Sequence, residues 1–235
     1  ICFFNHGKDL VIGGFYDGKI ILTNFSKKED EQIEIIPFKD EKPILSIETD
    51  KEEKFIFIGN SIGNVLVYKI NQDNKNDWKK HCLLTDQNSS ISHIKCNDEL
   101  NVWASLSNDG CICLYTLPTC KLIRCIKAPP KNYSYIFLSD SPLPCIVLLS
   151  DEENTEILVY SINGKLIFKK NEYNKILCPL LIKDIYSYDY LAYIGNDNVN
   201  ILSLPKLEVE VTIDNLNEIN YICVSEDKNT LYAVN

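Results

Sequence analysis

The 235-residue sequence predicts an all-β fold built as an array of similar four-stranded units. Tight-turn pairs recur at Asp17-Gly18, Ile62-Gly63, Asp109-Gly110, Glu153-Asn154 and Asp197-Asn198, and the second residues of these pairs lie 45, 47, 44 and 44 positions apart. A period of that length is the mark of repeated supersecondary units. The runs between the turns are short and rich in β-branched and aromatic residues, as strands are. No stretch sustains helical periodicity.

The units can be followed in order. The first shows Val11-Ile12-Gly13-Gly14 before its turn, and residues 1–18 are expected to hold only the middle of a unit. In the second, Ile44-Leu45-Ser46-Ile47 is followed by a polar turn at Asp50-Lys51-Glu52-Glu53. Phe55-Ile56-Phe57-Ile58-Gly59 comes next, then the tight turn, then Val65 to Ile70. The third repeats this with Ile91-Ser92-His93-Ile94, a turn at Asn97-Asp98-Glu99, Val102 to Leu106, the turn at Asp109-Gly110, and Cys111 to Thr116. Asp-Gly and Asn-Asp pairs supply the positive φ that tight hairpins require. The fourth and fifth units turn at Glu153-Asn154 and Asp197-Asn198, and Ile219 to Val234 supplies two strands of a sixth.

Two longer connections interrupt the pattern. Asn71 to Lys80 reads as a polar insertion between strands. Ala128-Pro129-Pro130-Lys131 reads as a rigid connector whose prolines cannot donate ladder hydrogen bonds. Neither is long enough to mark a boundary, so residues 1–235 are expected to form one domain.

Composition narrows the function classes. Apolar residues make up 45% and charged residues 24%, as in a chain with a real core, and the net charge of −9 argues against bulk binding to nucleic acid or anionic membrane. No apolar run is long enough for a spanning helix, and the first residues lack the charged region and cleavage site of a signal peptide. Methionine is absent, including at position 1, which leads us to expect a piece of a longer protein.

The ten cysteines contain no Cys-x-x-Cys pair, and most sit inside apolar runs. Reduced thiols in the core of a cytoplasmic protein are the expectation. Cys111 and Cys113 lie two apart on one strand and so share a face. With Cys96 or Cys125 they would offer thiolates to zinc, but the spacing is not that of a zinc loop and no metal is expected. His93 falls in a strand and reads as a core residue. No nucleophile elbow, phosphate loop or His-Glu-x-x-His occurs. No catalytic residue and no cofactor are expected.

Four short strands in about 45 residues is the unit of a β-propeller blade of WD40 size, whereas a kelch blade is nearer 50. Leu106-Ser107-Asn108-Asp109-Gly110 resembles the SxDG segment of a WD40 repeat, with Tyr115-Thr116 in place of the Trp-Asp dipeptide. That dipeptide and the Gly-His pair occur nowhere, so the side-chain network that pins the blades of regular members is expected to be degenerate. The expected fold is an incomplete WD40-type propeller of about five blades' worth, part of a larger ring. A narrower resemblance joins Val11 to Lys19, Ser107 to Arg124 and, most specifically, Ile157-Leu158-Val159-Tyr160-Ser161-Ile162-Asn163-Gly164-Lys165-Leu166 to the carboxy-terminal propeller of BEACH-domain (neurobeachin-like) proteins.

That resemblance implies a non-enzymatic scaffold in vesicle trafficking or autophagy, cytoplasmic and peripheral to endomembranes. Its partners would be proteins, with membrane reached only through them or an adjoining domain. An adaptor of an unrelated complex, such as a coat subunit or ubiquitin-ligase receptor, and a propeller enzyme remain as alternatives. In the WD40 layout the tight hairpins and the loops entering each first strand share one face. Tyr16, Asp17, Asn60, Ser61, Asn108, Asp109, Asn196 and Asp197 are thereby expected around one rim. As a set they form the expected docking surface, while each taken singly is explained by turn geometry. Trp78, flanked by Lys79 and Lys80, either anchors a partner or folds back over its own blade edge.

Overall fold

The computed structural model describes residues 2–4, 10–24, 32–35, 37–38, 41–71, 77–184, 186–196, 198–214, 219–225 and 230–234. Every regular element among them is a β-strand, and all strand pairs are antiparallel neighbours in sequence. The chain divides into two compact units, Ile1–Lys131 and Asn132–Asn235. The division falls after Pro129-Pro130, where the sequence placed no boundary.

The first unit holds three four-stranded sheets. The first comprises β1 (Cys2–Phe4), β2 (Leu10–Gly14), β3 (Ile20–Asn24) and β4 (Gln32–Ile35). It has all four strands, because Cys2–Phe4 pairs with Leu10–Ile12. The expectation that residues 1–18 hold only the middle of a unit is therefore corrected. The second sheet comprises β5 (Ile44–Thr49), β6 (Phe55–Asn60), β7 (Val65–Ile70) and β8 (Trp78–Leu84). The third comprises β9 (Ile91–Asn97), β10 (Val102–Ser107), β11 (Cys111–Thr116) and β12 (Leu122–Lys127).

In the second unit, β13 (Tyr133–Ser139), β14 (Cys145–Ser150), β15 (Glu156–Ser161) and β16 (Leu166–Asn171) form one sheet. A second sheet comprises β17 (Leu177–Lys183), β18 (Asp189–Ile194), β19 (Val199–Ser203) and β20 (Val209–Ile213). β21 (Tyr221–Val224) and β22 (Leu231–Val234) make the expected pair. In all five four-stranded sheets the predicted tight turn joins the second strand to the third.

The second strands explain how the sheets pack. Each residue of β6, β10 and β14 is buried, although successive side chains point to opposite faces. Phe55 and Phe57 belong to a core shared with Ile91, Ile94, Trp103 and Tyr115 of the third sheet. Ile56 and Ile58 belong to a core shared with Ile20 and Phe38. One strand thus serves two neighbours. At the centre of the first of these cores the fully buried Trp103 stacks on Tyr115 at 4.2 Å and lies 4.7 Å from Phe57. Such ring pairs add roughly 0.5–1.5 kcal/mol beyond their burial. In the second unit, Val147, Val159, Leu191, Tyr193 and Leu202 form the equivalent core. The fourth strands are largely exposed, as an edge requires.

Two glycines let neighbouring sheets approach. A Cβ on Gly14 would meet Ile44 Cγ2 at 2.5 Å, and one on Gly59 would meet Ile91 Cγ2 at 2.6 Å. In each case the first strand of the next sheet is seated against the end of the second strand before it.

At the opposite end from the tight hairpins, charged groups tie consecutive sheets together. Lys95 Nζ lies 2.8 Å from Glu48 Oε2, and the Lys51 amide donates to Asp98 Oδ2 at 3.0 Å. In the second unit, Lys183 Nζ lies 2.6 Å from Asp140 Oδ1 and 3.5 Å from Asp189 Oδ1. Asp189, only 3% exposed, accepts hydrogen bonds at Oδ2 from Ser139 Oγ and from the Asp140 and Ser141 amides. Burial works to lower the Lys183 pKa, but the Asp140 hydrogen bond and the Asp189 charge outweigh it and hold the ammonium on. The two lysine–carboxylate pairs span 47 and 43 residues, so each lysine reaches back one repeat.

Gly59→Ala is expected to destabilise the chain by about 1–3 kcal/mol in urea denaturation, because the new methyl meets a β-branched side chain in a filled core. Gly13→Ala, whose Cβ meets only the Phe15 ring at 3.3 Å, should cost less. Burial raises the pKa of Glu48 above 4.5 despite the opposing Lys95 charge. The folded state therefore holds this proton more tightly than the unfolded chain, so wild type should gain stability relative to Glu48→Gln as pH falls through the raised value towards 4.5. Denaturation midpoints of the two proteins across that range check the sign.

Candidate functional site

The tight hairpins and the loops that enter the first strands do share an end of the first unit. The Ser61 amide donates to Pro43 O at 3.0 Å, the Asn108 amide to Ser90 O at 2.9 Å, and the Ile44 amide to Phe15 O at 3.0 Å. Gly63, at φ +93°, lies so close to the Gln87 and Ser89 carbonyls that no side chain fits there. Tyr16, Asp17, Ser61, Asn108 and Asp109 are thus carried along one end by turns that grip the loops beside them.

Their side chains differ in availability. Tyr16 is 83% exposed. Asp17 is exposed and caps its own turn, accepting from the Lys19 amide at 3.3 Å. Asn108 is exposed and Ser61 half-buried. Asp109 is exposed but committed: Oδ1 accepts from Ser107 Oγ at 2.5 Å, and Oδ2 lies 2.5 Å from Lys127 Nζ. These two hydrogen bonds, the Lys127 one first, hold its pKa below the usual carboxylate value. Asn60 is completely buried, its Oδ1 accepting from the Ile62 and Asn64 amides at 3.1 and 2.9 Å. Its place on a docking rim is therefore corrected: its side chain builds the turn.

Of the two readings of Trp78, the structure favours the one that packs it on its own sheet. It is not on a loop but begins β8 opposite Ile70, half-buried, its ring 5.9 Å from Tyr68 and packed on the core of the second sheet. It folds back over the edge of its own sheet. Asp197 lies outside the described residues, and Asn196 is exposed beside it.

A hydrogen-bonded network pins the third sheet where the sequence suggested none. Gln87, buried in the loop before β9, donates from Nε2 to Cys111 O at 2.7 Å and accepts from Ser105 Oγ at 2.5 Å. Tyr115 Oη donates to Asp86 in the same loop at 3.1 Å. A glutamine offers both a donor and an acceptor. No spacing rule in the sequence flagged it.

The second unit carries a cleft of ≈ 520 Å³ at its hairpin end, lined by Glu153, Asn154, Tyr173, Lys175, Leu177 and Asn196. Two tight hairpins and the loop between β16 and β17 converge there. Tyr173 is 88% exposed and Leu177 43% exposed, an apolar pair within a polar frame. Lys175 Nζ lies 2.7 Å from Asp151 Oδ1, and its hydrogen bond is the main cause holding the Asp151 pKa down. Sequence reading reached Asn196 but not Tyr173, Lys175 or Leu177, whose loop belongs to no repeat signature.

Six of the ten cysteines gather at the interface of the second and third sheets. Cys111, Cys113 and Cys125 come together as one cluster, with Cys113 and Cys125 directly opposite across β11 and β12 and their sulfurs 2.9 Å apart. Burial is the first cause raising the Cys113 thiol pKa. His81, Cys82 and Cys120 form a second cluster. There the hydrogen bond between the two thiols, with Lys80 nearby, lowers the Cys82 pKa and keeps the proton on Cys120. A search of protein-family models finds no match to the chain, and a search of curated proteins finds none either.

Asn60→Ala should cost about 1–2 kcal/mol in thermal or urea unfolding, since two turn amides lose their acceptor. Tyr173→Ala should stay within roughly 0.5 kcal/mol of wild type. Equal losses would remove the distinction between turn-building and available side chains.

Proposed function

We propose that the chain is part of a WD40-type β-propeller that works as a protein-interaction platform. The observation that carries this reading is the repeated seating, within the first unit, of one sheet's first strand on the second strand of the sheet before it. Gly14 with Ile44 and Gly59 with Ile91 give it its clearest form. Four-stranded sheets packed in this way within a unit bring their hairpin ends together as loops held by backbone hydrogen bonds, which is the geometry of a docking surface.

The platform's contact points are the side chains that the turns do not consume: Tyr16 and Asn108 in the first unit, and Tyr173, Leu177 and Asn196 around the cleft of the second. Large exposed aromatics on a rigid frame are the usual anchors of such contacts. The acidic charge favours protein partners over nucleic acid.

The likeness of residues 157–166 to BEACH-domain propellers supports a scaffold of vesicle trafficking or autophagy, at cytoplasmic membrane surfaces reached through partners. Those residues form β15 and its turn, with the Gly164 amide donating to Ser161 O at 2.8 Å and Gly164 at φ +80°.

The test is quantitative capture from cells of the longest chain that contains these residues, as wild type and as Tyr16→Asp and Tyr173→Asp. Both substitutions lie on exposed positions and should leave folding intact. Loss of a defined set of protein partners from either variant supports the platform, and identical partner sets would overturn it. Partners confined to coat or ubiquitin-ligase complexes would overturn the BEACH assignment alone.

A further inference from the structure

We propose that His81, Cys82 and Cys120 form a zinc site that staples the second sheet to the third. Ligand atoms of all three residues lie within 4.8 Å of one another. Around tetrahedral zinc, sulfur at about 2.3 Å and nitrogen at about 2.0–2.1 Å leave neighbouring ligands about 3.5–3.8 Å apart. A small closure brings the three into range, and the ligand types are those zinc prefers.

The backbone explains how two adjacent strand residues serve one ion. Val67 pairs with Cys82 and Tyr68 with Lys80, which leaves His81 as the extra residue of a β-bulge. A bulge interrupts the alternation of faces and re-aims a side chain. The same bulge recurs in the third-to-fourth strand pairing of three other sheets, where the extra residues are Ile123, Ile167 and Glu210. Cys120 also has a counterpart. Leu117-Pro118-Thr119-Cys120 and Leu204-Pro205-Lys206-Leu207 make equivalent turns, with Cys120 at φ +53° and Leu207 at φ +61°.

The chain therefore contains an internal control. In the second unit the positions equivalent to His81 and Cys120 are Ile167 and Leu207, which pack in one hydrocarbon core. At the interface of the second and third sheets the same positions carry an imidazole and a thiol, beside a second thiol. Core filling does not call for that exchange.

An outer interaction is also present. His81 Nε2 lies 3.1 Å from Pro118 O, two residues before Cys120. Donation to that carbonyl fixes the tautomer with the lone pair on Nδ1, the arrangement that metal-binding histidines commonly show. His81 is exposed, so a water or a side chain of a partner can complete the coordination from its side. The Cys111, Cys113 and Cys125 cluster is the weaker candidate, because the 2.9 Å separation of Cys113 and Cys125 is too short for two ligands of one zinc and both belong to paired strands of a single sheet.

The experiment uses the 235-residue chain, purified with its thiols reduced and stripped of metal, and titrated with zinc and with cobalt. Wild type is expected to bind one ion per chain, to show the thiolate-to-cobalt charge-transfer band and intense visible bands of a tetrahedral site, and to melt at a higher temperature with zinc. His81→Ile and Cys120→Leu introduce the residue types that the chain itself uses at the equivalent positions, so folding, read by circular dichroism, should survive. Each should weaken the ion by at least about tenfold. Cys113→Ser should bind as wild type does. A wild-type chain that binds neither ion, or binding lost in Cys113→Ser but retained in His81→Ile, would overturn the proposal.

Discussion

The second strands β6, β10 and β14 have no solvent face, and much of the structure follows from that. A strand whose alternate side chains are all apolar must have a neighbour on either side. For β6 those neighbours are built from residues one repeat earlier and one repeat later, through Ile56 and Ile58 on one face and Phe55 and Phe57 on the other. Sheets formed only from adjacent hairpins cannot satisfy this alone, so within each unit they pack on their neighbours in sequence. The exposed fourth strands can tolerate insertion and polar composition because nothing packs on both of their faces.

This constraint also explains which features are legible in the amino-acid sequence. Continuous apolar runs such as Phe55 to Ile58 and the turn pairs that follow them are local signals, and all five tight turns fall between the second and third strands. The start of β8 is not local: Trp78 and Lys79 look like the end of a polar loop, and only pairing with Ile70 and Lys69 makes them strand. The short β1 is likewise defined by its partner. Gln87 was illegible because its role depends on reaching the backbone of Cys111, 24 residues away, from a loop with no motif. At the candidate site the same split holds. Turn positions were visible, whereas the cleft depends on a loop between β16 and β17 that turn chemistry alone does not describe.

The two ends of the sheets have been put to different uses. At one end, lysine–carboxylate pairs such as Lys95–Glu48 and Lys183–Asp140 join consecutive sheets in partly buried settings, where removing one partner leaves a charge stranded. At the other, the connections are mostly backbone hydrogen bonds between hairpin and entering loop. Backbone joints do not depend on side-chain identity, so that end can vary its side chains without loosening the stack. A docking surface belongs where the scaffold is indifferent to the residues displayed. Asn60 and Asp109 mark the limit of that freedom, since their side chains are themselves the joints.

The cysteines show the same division at finer grain. Scattered along the sequence, Cys82 and Cys120 have no spacing that suggests a shared task. They meet because one follows a bulge on the fourth strand of one sheet and the other closes the hairpin before the fourth strand of the next. The equivalent junction in the second unit is filled by hydrocarbon, as Ile167 and Leu207 show. A donor set in place of hydrocarbon costs packing that the fold would otherwise gain. It is retained without penalty only if something occupies it, and a cation joining two sheets restores the cohesion that the apolar side chains supply elsewhere.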